Sequence, residues 1–227
     1  MPPPAAREDT GPIETGPRET GPRETGHRET GSDRIGGIVL SGGSAARIQG
    51  ADKATLELAG ATLLDHVLAA LDTVEDVVVV GERVRTGRLV TFLREHPPLG
   101  GPAAGILAGL DGFSRAPALV VVLAVDMPLV SRATVRRLVQ AAGDVDGVDG
   151  VDGALLVDRE GRRQYLCAAY RTAALRTAAP ASEEQHGLSV RRLVRGLRLA
   201  EVVAVGGEAQ DVDTWADLRS VRARLEE

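Results

Sequence analysis

Four stretches of this chain are dense in apolar, mostly β-branched residues and bounded by turn signals: Ile35–Leu40 (IGGIVL), 76–81 (DVVVVG), 88–93 (RLVTFL) and 117–125 (PALVVVLAV). They do not alternate polar with apolar, so they read as strands buried on both faces rather than strands with one wet side. Between them the apolar spacing changes to that of helices, at 61–71 (ATLLDHVLAAL), 102–110 (PAAGILAGL) and 131–142 (SRATVRRLVQAA), the last opened by Ser131 as a natural N-cap. Strands alternating with helices predict a mostly parallel sheet covered by helices on both faces. Farther along, GALLVD and QYLCAAY read as a strand pair across REGRR, SVRRLVRGL as a helix, and the C-terminal DVDTWADLRSVRARLEE as a loop running into a helix.

Two stretches lie outside this pattern. Residues 1–34 carry a five-residue repeat (TGPIE, TGPRE, TGPRE, TGHRE, TGSDR) whose only large apolar side chain is Ile13. With so little to bury, ordering entropy is not offset, and the segment is expected to be a disordered tail preceding one domain at 35–227. Val-Asp-Gly repeats over 143–153 read as a lengthened surface connection; the spacing and the missing closing Glu do not suit a calcium loop. His27 belongs to the tail repeat, and His66 and His96 read as structural residues.

Composition narrows the function. The chain has 227 residues, a formal charge of −5 and 2% aromatics, which argues against a nucleic-acid-binding surface. No apolar run approaches the roughly 20 residues needed to span a bilayer, so a cytoplasmic location is expected. The single Cys167 excludes an internal disulfide and a multi-cysteine metal site. Of 27 basic residues only Lys53 is a lysine, and there is no asparagine at all.

That lysine ends a glycine-rich loop that follows the first strand, LSGGSAARIQGADK. In an open α/β sheet such a loop lies where ligands gather, and its glycines let backbone N–H groups approach an anion. Neither the Walker spacing nor the Rossmann spacing is met. The stretch instead resembles the L-A-G-G, three residues, R-M-G-G-x-D-K motif of the molybdenum-cofactor nucleotidyltransferase family, with Ser41, Ile48 and Gln49 as departures. Five further segments match that family in order: GPAAGILAGL, LAVDMPLV, QYLCAAYR, GLSVRRLV and DVDTWADL. Together they cover the chain from Ile35 onward.

The resemblance implies a three-layer α/β/α domain, Rossmann-like and of the nucleotide-diphospho-sugar-transferase (GT-A) type. It implies a Mg²⁺-dependent guanylyltransferase that transfers GMP from GTP to the terminal phosphate of molybdopterin and releases pyrophosphate. A cytidylyltransferase using CTP, guanylyl transfer to a small phosphorylated acid such as phospholactate, and a non-enzymatic nucleotide- or cofactor-delivery protein remain alternatives. Molybdoenzymes or other cofactor-biosynthesis proteins are the implied partners.

Carried residue by residue, Leu40, Ser41, Gly42 and Gly43 touch the nucleotide. Lys53 steadies the α-phosphoryl group, or else is a solvated surface lysine. Arg47 holds the departing pyrophosphate, or is a loop arginine in water. Asp126 binds Mg²⁺, or caps a turn. In DVDT, Asp213 and Asp211 stand where the family often has Asn; one joins the metal, or one N-caps the last helix. Glu95 reads guanine, or is an ordinary loop residue. Arg191 and Arg192 meet the acceptor phosphate, or line a solvated helix face. Asp52 fixes Lys53 or the loop backbone.

Overall fold

The computed structural model describes residues 1, 34–42, 47, 48, 50–95, 100–143 and 150–225. The repeat tail, Gly43, the Arg47 side chain, His96 and residues 144–149 of the Val-Asp-Gly stretch, all singled out above, lie outside the described residues. The unit spanning residues 31–227 is the one described below.

Seven strands make one sheet: β1 (Ile35–Leu40), β2 (Asp76–Val80), β3 (Thr91–Leu93), β4 (Leu119–Ala124), β5 (Gly153–Val157), β6 (Arg163–Arg171) and β7 (Leu199–Val203). Their spatial order is β7-β5-β6-β4-β1-β2-β3, and only β6 runs against the others. The chain builds outward from β1 through β2 to β3, then returns to the other side of β1 with β4. The gap between β1 and β4 at their carboxyl ends is therefore the topological switch point, the place where open α/β sheets bind ligands.

Strand alternation sends successive side chains to opposite faces. Val39, Val79, Val121 and Leu123 pack under α1 (Leu63–Ala70), α3 (Arg132–Ala141) and α6 (Trp215–Leu225). Ile38, Val78, Val120 and Val122 pack under α2 (Pro102–Asp111), α4 (Thr172–Ala178) and α5 (Val190–Leu193). Each such buried aliphatic side chain stabilises the fold by about 1.5–3 kcal/mol, and the two sets make the three layers the sequence predicts. Among the described residues no helix is long and apolar enough to cross a membrane.

Several expected boundaries shift. The strand predicted over 88–93 is only Thr91–Leu93. Arg88 is drawn aside to donate from Nη1 to Leu71 O and from Nη2 to Val74 O, satisfying carbonyls past the end of α1, and Leu89 is left 96% exposed. The helix predicted over SVRRLVRGL closes after one turn, at Leu193. Two elements carry no strong sequence signal: α4, which has no side-chain cap, and edge strand β7, which buries only Val202. His66 is structural as expected, its ring nitrogen 2.7 Å from Leu58 O.

Candidate active site

At the end of β1 the chain passes very close to the end of β2. Ser41 N donates to Val80 O at 3.0 Å, and a Cβ on Gly42 would come within 3.2 Å of Gly81 Cα. A Cβ on Gly81 would meet Ser41 Oγ at 2.3 Å. Both glycines are thus fixed by close backbone approach, which leaves Gly42 exposed at the mouth of the switch point. Leu40 and the buried Ser41 stand at the same edge.

The loop then turns back on itself. Arg47 and Ile48 pair with Asp52 and Ala51 in a two-residue ladder, and Asp52 Oδ1 caps the following 3₁₀ turn, Lys53–Thr55, by accepting from Ala54 N at 3.0 Å. Of its two readings, Asp52 takes the backbone one. The turn drives Ala54 into the core and Lys53 inward with it. Lys53 is 1% exposed, which disposes of the solvated-lysine alternative.

Its ammonium ends between two carboxylates. Nζ donates to Asp126 Oδ2 at 3.1 Å and to Asp213 Oδ1 at 2.6 Å. Burial works against the charge on Lys53, but the hydrogen bond to Asp213 and the charge of Asp126 outweigh it and hold the ammonium above its ordinary pKa. Asp126 stands just past β4, where Val125 N donates to Leu40 O; Val212 N in turn donates to Asp126 O at 2.8 Å. Asp213 is thereby delivered to Lys53 from 160 residues away.

The helix-cap alternative for the two DVDT carboxylates does not hold. Thr214 Oγ1 accepts from Asp217 N, and Asp217 Oδ2 accepts from the backbone N–H groups of Asp213 and Thr214, so these two residues open α6. Asp211 lies beside the cluster. It is exposed at the surface, yet partial desolvation first, then the charges of Asp126 and Asp213, push its carboxyl up to about 6 against the opposing pull of Lys53 and Arg162.

Glu95, just past β3, is half-buried with Oε2 3.7 Å from where a Cβ on Gly105 of α2 would lie; Leu40 Cδ2 is 3.2 Å from the same point. The carboxylate expected to read the base therefore shares a corner with the end of β1. Sequence reading did not single out Gly81 or Gly105, although Gly105 lies within the GPAAGI segment. Arg191 and Arg192 are exposed on α5 and share no hydrogen bond or ion pair with the Lys53 cluster among the described residues. Their helix is tied to the site's rim by Gly187 N, which donates to Gly100 O at 2.7 Å beside the positive-φ Gly101 that caps α2.

One ammonium between two carboxylates leaves net negative charge at the switch point. A polyanion can settle there only if cationic charge is added, and two carboxylate oxygens suit a hard divalent cation that keeps its remaining positions for water and phosphate. No group of three or more His, Cys, Asp or Glu side chains gathers for a metal among the described residues.

Over 120 residues the chain is 37% identical to a protein from Bradyrhizobium sp. (strain ORS 278) called molybdenum cofactor guanylyltransferase; the match spans 48% of this chain and 57% of that protein. The chain spans less than two thirds of the length of several such relatives, 56% and 60% in two others. Among solved structures, molybdopterin-guanine dinucleotide biosynthesis protein A from Archaeoglobus fulgidus shares the fold at TM-score 0.61 and 19% identity, covering 85% of this chain and 98% of that one. The 2-C-methyl-D-erythritol 4-phosphate cytidylyltransferase from Thermus thermophilus does so at TM-score 0.61 and 24% identity, covering 86% and 100%. Residues 37–213 match the model of the MobA-like NTP transferase domain, a stretch that holds the glycine loop, Lys53, Asp126 and Asp213 alike, and the chain belongs to that family.

Proposed function

We propose that this chain is a cytoplasmic nucleotidyltransferase that moves GMP from GTP onto the terminal phosphate of molybdopterin, within the single domain at 35–227. The observation that carries the reading is the buried Lys53 ammonium held between Asp126 and Asp213 at the mouth between β1 and β4. The names of the curated relatives support the choice of GTP and molybdopterin.

In the reaction a phosphate oxygen of the acceptor attacks the α-phosphorus of GTP. The α–β phosphoanhydride bond breaks, and its electron pair leaves with pyrophosphate. No covalent nucleophile is required of the protein, so positioning and charge complementarity supply most of the rate. Leu40, Ser41, Gly42 and Gly43 hold the nucleoside against the end of β1. Glu95 accepts from the N1–H and N2–H₂ donors of guanine, a pair that cytosine lacks. Arg47 receives the charge that develops on the β- and γ-phosphates.

Lys53 has two tasks. It restrains Asp126 and Asp213 before substrate arrives, and its compact point charge stabilises the α-phosphoryl oxygens as charge redistributes; the planar fork of an arginine does not fit the same slot. Asp126 and Asp213 would hold Mg²⁺, which supplies the neutralisation that lets a polyanion approach carboxylates. Arg191 and Arg192, on the α5 side of the mouth, meet the acceptor phosphate. The product then passes to molybdoenzymes or other proteins of cofactor assembly.

The deciding experiment incubates the protein with molybdopterin, Mg²⁺ and each triphosphate in turn while pyrophosphate is measured. Release with GTP that is lost when Mg²⁺ is omitted supports the proposal. Release with CTP alone overturns the guanylyl assignment, and binding of GTP without turnover points to a delivery protein.

A further inference from the structure

The two carboxylates that flank Lys53 come from separate chain segments, and something must set the distance between them. One link is the backbone bond from Val212 N to Asp126 O. A second is built from residues that no motif singles out. Glu208, 9% exposed, lies three residues before Asp211 in the loop that leads to Asp213. Its Oε1 accepts from Thr134 Oγ1 at 2.6 Å; its Oε2 accepts from Val205 N at 2.8 Å and from Arg137 Nη2.

Thr134 and Arg137 both belong to α3, which starts six residues after Asp126. Thr134 is wholly buried and closes the capping box that opens α3, its Oγ1 accepting from Ser131 N at 3.1 Å. Its single hydroxyl proton goes to Glu208, so at the Ser131 Oγ···Thr134 Oγ1 contact of 3.1 Å the serine is the donor. Arg137 uses its other terminal nitrogen on Val203 O at 2.8 Å, at the end of β7. Both Glu208 oxygens are thus engaged by donors from α3 and from the chain just past β7, a closed arrangement that resists displacement.

We infer that Glu208 is a positioning residue for the proposed transfer: clasped to Thr134 and Arg137, it fixes the loop carrying Asp213 against the segment carrying Asp126 and so sets the gap in which Lys53 and the metal–triphosphate are held. The inference rests on the proposed function. Glu208 itself touches neither substrate nor metal. Its effect is geometric, and a misplacement of about 1 Å at a reacting centre costs on the order of a hundredfold in rate.

The test compares wild-type protein with Glu208→Gln and Arg137→Met. Mn²⁺ binding in the presence of GTP is followed by electron paramagnetic resonance, beside kcat and KM for GTP, at a temperature where circular dichroism shows each protein folded. The expected result for Glu208→Gln is Mn²⁺ affinity and kcat each lowered about tenfold or more, with KM for GTP little changed because the nucleoside is held elsewhere. Arg137→Met, which leaves the Thr134 and Val205 bonds in place, moves both readouts in the same direction by less, and it decides the question should Glu208→Gln fail to fold. Folded variants that melt earlier but keep wild-type Mn²⁺ affinity and kcat overturn the inference. Mn²⁺ binding is read without an acceptor, so a wild-type protein that binds Mn²⁺·GTP yet transfers nothing to molybdopterin refutes the proposed reaction and leaves the metal readout to judge the clasp.

Discussion

Two ionic clusters sit a few residues apart in this domain and are built on opposite plans. Around Glu208 one carboxylate is met by a hydroxyl, an amide and a guanidinium, and nothing is left over. Around Lys53 one ammonium is shared by two carboxylates whose outer sides remain open, Asp126 at 24% and Asp213 at 65% side-chain exposure. The first has its charge matched by its donors and offers nothing to a ligand. The second has unmatched charge facing solvent at the switch point of the sheet, which under the proposed function a cation and, with it, phosphate would balance. Electrostatic surplus next to a cleft separates a site from a brace more clearly than burial does, since both clusters are buried at their centres.

The contrast is broken most severely at Lys53. Lys53→Met removes the only charge shared by the two carboxylates, and transfer is expected to fall at least about a hundredfold. The fold survives, because water reaches the carboxylates left behind; circular dichroism beside the pyrophosphate assay checks both halves. Lys53→Arg is expected to lose nearly as much, since a guanidinium fork does not fit the slot. Asp126→Asn follows with a loss of similar order. Asp213→Asn costs less, about tenfold, because the amide oxygen still accepts from Lys53 and its position is the more exposed one.

Next in size is the brace. Glu208→Ala orphans the Thr134 hydroxyl, the Val205 amide and the Arg137 guanidinium, a loss of about 3 kcal/mol in unfolding free energy. Burial raises the pKa of Glu208, but Arg137, Thr134 and the Val205 amide together bring it below the ordinary 4.5. An acid whose pKa is lower in the folded state stabilises the fold above its unfolded value, and that contribution disappears as pH falls through the folded one. Wild-type stability should therefore decline below about pH 4.5, and Glu208→Gln, already lacking the carboxylate, should show a flatter acid limb in urea titrations at several pH values.

Asp211 has the reverse linkage and the smaller effect. Its carboxyl is pushed up from 3.8 to about 6, so its charge opposes folding above pH 6 and the opposition fades as pH falls towards 4. Asp211→Asn is expected to raise Tm slightly at pH 7 and to leave it unchanged at pH 4. A Tm lowered at pH 7 would show that the charge helps rather than hinders. Smallest of all is Cys167, wholly enclosed by the sheet, where burial pushes the thiol well up. Iodoacetamide should leave it unmodified in the native protein, as mass spectrometry can verify.

Much of the fold was legible because the residues that declare it are local. Valine-rich runs announced the central strands, and Ser131 announced the start of α3. The elements that escaped notice lack such marks: β7 is an edge strand with a single buried residue, and α4 has neither a cap nor a continuous apolar stripe. Boundary errors have tertiary causes too. Arg88 sits in a run that reads as a strand, yet carbonyls beyond α1 claim its side chain. At the site, the glycine loop and Lys53 were legible as a motif, whereas the helix-cap reading of DVDT failed because Thr214 and Asp217 take that task.

The order of the chain therefore settled which groups are available: the glycines that permit close backbone approach, one lysine, and carboxylates at the ends of apolar strands. It also settled the α/β alternation, since periodicity and turn chemistry act over a few residues. Folding alone settled which charges meet. Lys53 finds Asp213 across 160 residues, and Glu208 finds Thr134 across 74, only because strand order in the sheet brings the segments after its strands' carboxyl ends together. Pair energies of that kind depend on distance and desolvation, which are properties of the packed sheet and have no counterpart in local sequence.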